Sequence, residues 1–181
     1  MLKVIDVEDT PNPDALKFVL DGTILASGVR QFESPQAAQS DALASALFMI
    51  PGVQSVFYTG KFVTVSKDPD IRWSHIQPKI NQAIAEKGKQ VSANGHSTTA
   101  TLKSTDDPML AQINAVLEES VKPALEGDGG GLEVLGLDGY ILTVHYQGAC
   151  GSCPSATAGT LVAVQNLLQR LVDPRIVVVS G

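Results

Sequence analysis

Residues 88–104 (Gly-Lys-Gln-Val-Ser-Ala-Asn-Gly-His-Ser-Thr-Thr-Ala-Thr-Leu-Lys-Ser) restrict what this 181-residue chain can fold into more than any other stretch. They are rich in Ser, Thr and Gly, hold no aromatic residue and show no helix or strand periodicity, so they read as a flexible linker. A coil of that length separates its ends by roughly 20–25 Å on average. One large core is therefore not expected. Two small domains are, at 1–87 and 105–181, each just large enough to fold alone. The 44% apolar and 18% charged composition suits folded soluble domains. No apolar run reaches the roughly 18–20 residues needed to span a bilayer.

In the first segment, residues 3–9 alternate as a strand and Thr10-Pro11-Asn12-Pro13-Asp14 is a turn cluster. Residues 15–20 read as a second strand. Asp21-Gly22 signals a hairpin turn, with a short return strand at Thr23-Ile24-Leu25. Ser34-Pro35 predicts a helix start, N-cap then proline, running to about Phe48 with Ala42, Leu43, Ala46 and Leu47 inward. Residues 53–58 and 61–66 form a hairpin around Thr59-Gly60. Residues 73–87 predict a helix with Ile76, Ile80 and Ile84 on one face.

In the second segment, Thr105-Asp106-Asp107-Pro108 starts a helix whose end Pro123 disrupts. Gly127-Asp128-Gly129-Gly130-Gly131 reads as a glycine loop. Strands at 132–137 and 140–147 flank Asp138-Gly139, a strong hairpin signal. A helix at 155–171 places Leu161, Val164, Leu168 and Leu171 inward, and 175–179 is a last strand. The fold class is thus α+β. It comprises two small α/β domains, the second α-β-β-α-β with a small mixed sheet covered by two helices.

The net charge of −6 is unevenly placed. Residues 1–104 balance, whereas residues 105–181 carry Lys122, Arg170 and Arg175 against nine acidic groups. That argues against nucleic acid or an anionic membrane as partner. The first residues alternate and are acidic, unlike a signal or transit peptide. They point to a cytoplasmic protein of bacterial type. The alternative is a mitochondrial matrix or plastid protein whose targeting segment is missing.

The only two cysteines stand in Gly148-Ala149-Cys150-Gly151-Ser152-Cys153-Pro154-Ser155-Ala156, between a strand pattern and a helix pattern. The C-x-x-C spacing turns both sulfurs to one point. A helix N-terminus beside Cys153 favours anionic sulfur. A thiol–disulfide pair needs a larger βαβ framework than this one. A disulfide or idle thiols in a turn is the bland reading. A zinc site or the shell of a 4Fe–4S cluster needs four thiolates, and the chain has two. His75 and His96 lie in the first segment and the linker, and His145 reads as a solvated strand histidine. The simplest completion of a metal site is a two-fold dimer in which each chain donates Cys150 and Cys153. The acidic surroundings disfavour a free thiolate and are reversed locally by a bound cation, which tilts the motif toward metal.

At residues 148–156 the chain resembles the NifU-type C-terminal domain of iron–sulfur cluster assembly proteins, the Nfu family. Val121-Lys122-Pro123-Ala124-Leu125 with Asp128-Gly129-Gly130, Thr160-Leu161 and the closing strand extend the likeness. Gly131 departs from it, standing where an acidic residue is expected. Thr10-Pro11-Asn12-Pro13, Leu16-Lys17-Phe18, Leu47-Phe48-Met49-Ile50-Pro51-Gly52-Val53, Val56-Phe57-Tyr58, Phe62-Val63-Thr64-Val65, Trp73 and Ile76-Gln77-Pro78-Lys79-Ile80 resemble the Nfu N-terminal domain. The resemblance implies a non-enzymatic scaffold or carrier. It would hold a 4Fe–4S cluster, or a 2Fe–2S form, between the Cys150 and Cys153 of two protomers. The cluster would come from upstream assembly proteins and pass to apo-protein clients. The cysteine-free N-terminal domain would contact partners, and most of Phe48, Phe57, Phe62 and Trp73 read as ordinary core. The rival readings are a thiol–disulfide oxidoreductase using Cys150 and Cys153, and a zinc-binding interaction module.

Overall fold

Strand β2 (Ala15–Leu20) sets out the first half of the molecule, because Leu16, Phe18 and Leu20 all project to one face by the two-residue period of a strand. The computed structural model describes residues 2–26, 28–91, 108–149 and 154–181, the last without side chains over 154–158. The chain divides into two units, Met1–Thr98 and Thr99–Gly181. In the first, β2 lies between β1 (Val4–Asp9) and β5 (Phe62–Lys67). Beyond β5 come β4 (Val53–Thr59) and β3 (Val29–Phe32), giving the order β1-β2-β5-β4-β3 with every pair antiparallel. Helices α1 (Ala42–Phe48) and α2 (Trp73–Lys87) close one face. Ile76, Ile80 and Ile84, spaced by four, meet Leu43, Leu47, Phe18, Val56 and Val63 in a single buried cluster.

The expected return strand at Thr23-Ile24-Leu25 is absent, and β3 forms four residues later. Asp21 does not turn a hairpin. Its backbone N–H reaches Lys3 O at 2.9 Å and its carboxylate accepts from Lys3 N at 2.8 Å, tying the end of β2 back to β1. Ile24 N–H is then taken by Gly60 O at 2.7 Å. The predicted helix from Ser34 also starts late. Ser34 Oγ does accept from Ala37 N–H, but only a 3-10 turn over Ala37–Ser40 follows. Asp41 is extended (φ −117°, ψ 118°), and its carboxylate caps Leu43 and Ala44 N–H, so α1 begins there.

The second unit runs α3 (Pro108–Val116), a π-helical turn (Leu117–Val121) and α4 (Lys122–Gly127). Then come β6 (Gly130–Asp138), β7 (Ile141–Gly148), α5 (Pro154–Leu171) and β8 (Val177–Ser180). The sheet order is β6-β7-β8, antiparallel then parallel. This is the expected α-β-β-α-β arrangement with a small mixed sheet. Pro123, however, does not end the helix. Lys122 N–H reaches back five residues to Leu117 O. This wider turn precedes a proline that has no N–H to give and whose ring crowds the carbonyl four residues earlier.

The helical residues Leu110, Ile113, Leu117, Val121 and Leu125 join Leu132, Leu142, Val144 and Tyr146 of the sheet. Val164 and Leu168 of α5 complete that core with Ile176 and Val178. Leu171 does not; it is 60% exposed. The inward stripe of α5 continues by intervals of four, Val164, Leu168, Val172, and Val172 N–H bonds Leu168 O at 2.8 Å. The glycine run is also shorter as a loop than expected, since Gly130 and Gly131 already pair with Gly148 and Gln147. The linker beyond Val91 and the cap at Thr105-Asp106-Asp107 lie outside the described residues.

Candidate functional site

Cys150 and Cys153 lie outside the described residues, which resume at Pro154. The frame on either side of them is described. On the N-terminal side, β7 ends at Gly148, which pairs with Gly130. Ala149 follows, 1% exposed, its N–H held by Gly129 O at 3.3 Å. Gly129 (φ +74°) and Gly148 (φ +69°) both occupy the left-handed region, where an L side chain is strained. Two glycines thus allow the end of β7 and the start of β6 to close against each other. On the C-terminal side, α5 begins at the residue after Cys153 and runs 18 residues. Its first-turn N–H groups and dipole make that end of the frame electropositive.

Two side chains beside this frame were not singled out by the sequence. Gln147, 5% exposed, donates from Nε2 to Glu133 Oε2 at 2.8 Å across the β6–β7 pair. A period-two pattern placed Gln147 on a strand, but nothing in the sequence announces its partner. His145 sits on the outer face of β7, opposite Glu133 in register, with Nδ1 3.3 Å from Gly181 O. His75 lies in the first turn of α2, in the other unit, and His96 is outside the described residues. Among the described residues, no three or more His, Cys, Asp or Glu side chains gather as a metal site.

The first unit contains a buried polar network of its own. Arg30 Nη1 donates to Asp41 Oδ2 at 2.6 Å, and Tyr58 OH donates to the same oxygen. Arg30 is 7% exposed, Asp41 4% and Tyr58 fully buried. Burial, then the hydrogen bond and charge of Asp41, push the Tyr58 phenol far above its usual range. For Arg30, burial opposes the charge, but the bonds to Tyr58 and Asp41 outweigh it and hold the guanidinium ionised. This network fixes β3, β4 and α1 together. Phe57 and Phe62 are buried. Phe48 and Trp73 pack against the core, Trp73 donating to Pro13 O at 3.4 Å. The core reading of these aromatics therefore holds.

Residues 5–91 match the family model described as scaffold protein Nfu/NifU N terminal, and residues 113–179 match the one described as NifU-like domain. The NFU1 iron-sulfur cluster scaffold homolog, mitochondrial, of Drosophila virilis is 34% identical over 171 residues, 91% of this chain and 57% of that protein. NifU-like protein 5, mitochondrial, of Arabidopsis thaliana is 32% identical over 177 residues, 93% of this chain and 64% of that protein. The chain therefore spans about three-fifths of the length of these relatives. Both names place those relatives in mitochondria, which fits the organelle alternative and gives the cytoplasmic expectation no direct support. The solution structure of a NifU-like protein from Saccharomyces cerevisiae, 25% identical, covers 52% of this chain and 86% of its own, with a TM-score of 0.45.

Proposed function

The chain belongs to the Nfu/NifU family of iron–sulfur cluster scaffold proteins, and from that premise we propose that it carries a 4Fe–4S cluster as cargo between two copies of itself. Cys150 and Cys153 of each copy supply the four thiolates. The observation that carries this reading is the frame around the motif. Ala149, held by Gly129 just past the strand end, and Pro154, the start of an 18-residue helix, leave the four residues 150–153 for both cysteines. The C-x-x-C spacing suits two ligands to one cluster, and the helix start offers N–H groups to anionic sulfur. The count of two cysteines in the chain, against the four that a cube requires, supports sharing between chains.

Release is ligand exchange. Each client thiolate forms one iron–sulfur bond as one carrier thiolate leaves, so charge and electrons balance and no substrate is turned over. On this reading the protein is not an enzyme. We take residues 1–87 as a partner-contacting domain without a ligand of its own, 88–104 as a flexible tether and 105–181 as the cluster domain. Apo-protein clients and upstream assembly proteins are the partners. The compartment must keep thiols reduced, as the cytosol and organelle matrices do.

Anaerobic reconstitution of the full chain with iron and sulfide, followed by metal analysis and light scattering, tests this. The expected result is about two irons and two sulfides per chain in a dimer, with broad visible absorption. Cys150→Ala and Cys153→Ala each abolish it. A colourless zinc-loaded protein would favour the interaction module. A monomer that cycles a Cys150–Cys153 disulfide would favour the oxidoreductase.

A further inference from the structure

Strand β8 stands at one edge of the second sheet, and two outward backbone groups at its start are already occupied. Val178 N–H donates to Gln165 Oε1 at 3.0 Å, and Ile176 O accepts from Gln169 Nε2 at 2.8 Å. Both glutamines come from α5, the helix that packs on the inner face. Strand addition at this part of the edge is thereby blocked. On the outer face of the same sheet, apolar side chains are exposed toward the start of β7. Ile141 is 50% exposed and Val177 45%, and they are register partners. Thr143 pairs with Val179, also exposed, in the next rung. Leu135, extruded by the bulge between Val134 and Gly136, completes the patch. Its Cδ1 and Thr143 Cγ2 both flank Gly181.

We propose that this outer face docks a basic, apolar-faced helical segment of another protein. A helix laid across the face needs no backbone pairing, whereas an extended peptide would meet Val178 N–H and Ile176 O already taken at the start of the β8 edge. Charge selects a basic one. Residues 105–181 hold nine acidic groups against three basic ones. Of those three, Lys122 is paired with Glu118 and Arg175 with Asp173. Asp138 lies exposed beside the patch, at the end of β6. A second copy brings the same negative charge to the face and is disfavoured. The patch sits toward the start of β7, and Gly148 lies about 23 Å further along that strand. A segment held here leaves the cysteine end open. The proposal does not depend on the cluster reading.

Isotope-labelled full chain is titrated with a synthetic amphipathic Leu/Lys helical peptide and with its Leu/Glu counterpart, and backbone amide shifts are followed. The Leu/Lys peptide should saturably shift residues 135, 141, 143, 177 and 179. The double variant Val177→Thr/Val179→Thr, which keeps β-branched shape, should weaken binding at least about tenfold while leaving inner-face shifts unchanged. Shifts confined to other surfaces, an equal response to the Leu/Glu peptide, or outer-face shifts that track protein concentration without peptide would each overturn the assignment. The last would point to a second copy.

Discussion

Asp41 carries more of the first unit than its size suggests. One carboxylate caps two N–H groups of α1, accepts from a buried guanidinium and accepts from a buried phenol. Removing it by Asp41→Ala leaves Arg30 buried without its counter-charge, and a loss of about 3–5 kcal/mol is expected in urea unfolding. Tyr58→Phe removes only one bond to that oxygen, and about 1–2 kcal/mol is expected. The phenol also dictates a pH response. Its folded-state pKa is raised, so its contribution is fully present below the ordinary tyrosine value of 10.0. It is lost as pH climbs past that value, because the unfolded chain ionises first. Unfolding midpoints of the native chain should fall more steeply above about pH 10 than those of Tyr58→Phe. Little of this could be read beforehand. Ser34-Pro35 reads as the helix start because a sequence shows local capping residues but not the Arg30 and Tyr58 that hold Asp41 in place.

Elements with a strong period and sharp punctuation were legible, and those fixed by long-range partners were not. Helix α2 occupies the expected residues because three isoleucines at intervals of four agree with the stops at either end. The β6–β7 and β4–β5 hairpins followed from Asp138-Gly139 and Thr59-Gly60, with Gly139 and Gly60 both at positive φ. Strand β3 was missed because its pairing with β4 spans some thirty residues and its own four residues carry no alternation of note. In α5 the 3-4-3 stripe predicted Leu171 inward, whereas the chain keeps to fours and uses Val172. The two leucines offer a direct contrast. Leu168→Ala should cost about 2–5 kcal/mol, and Leu171→Ala should stay within about 0.5 kcal/mol, as read by thermal or urea unfolding. Of the candidate site, the flanking strand end and helix start were readable from glycine and proline alone. The closure of Gly129 against Ala149 and the Glu133–Gln147 bond were not, since both join residues far apart in the chain.

At the scale of the whole chain, the buried hydrophobic residues among those described form two clusters with no member in common. Substitutions should therefore sort by unit. Asp41→Ala is expected to lower one unfolding transition and leave iron loading unchanged, and Leu168→Ala to lower the other and reduce loading, with differential scanning calorimetry and iron assay as the measurements. The π-helical turn at Leu117–Val121 has its own consequence. Apolar residues at Leu117, Val121 and Leu125 repeat by fours, and in a regular helix each such step drifts about 40° around the axis. The wide turn takes back part of that drift and keeps the stripe on the sheet. It works as an inserted residue that resets the phase of the helix. Deleting one residue of the turn would restore a regular spiral and leave the segments on either side in the phase they already hold, because the wide turn has absorbed that residue's advance of about 100°. Over that stretch the helix has already taken in one residue to spare, so loss of an exposed one such as Glu118 or Glu119 is tolerable where a polar exchange at buried Leu117 or Val121 is not.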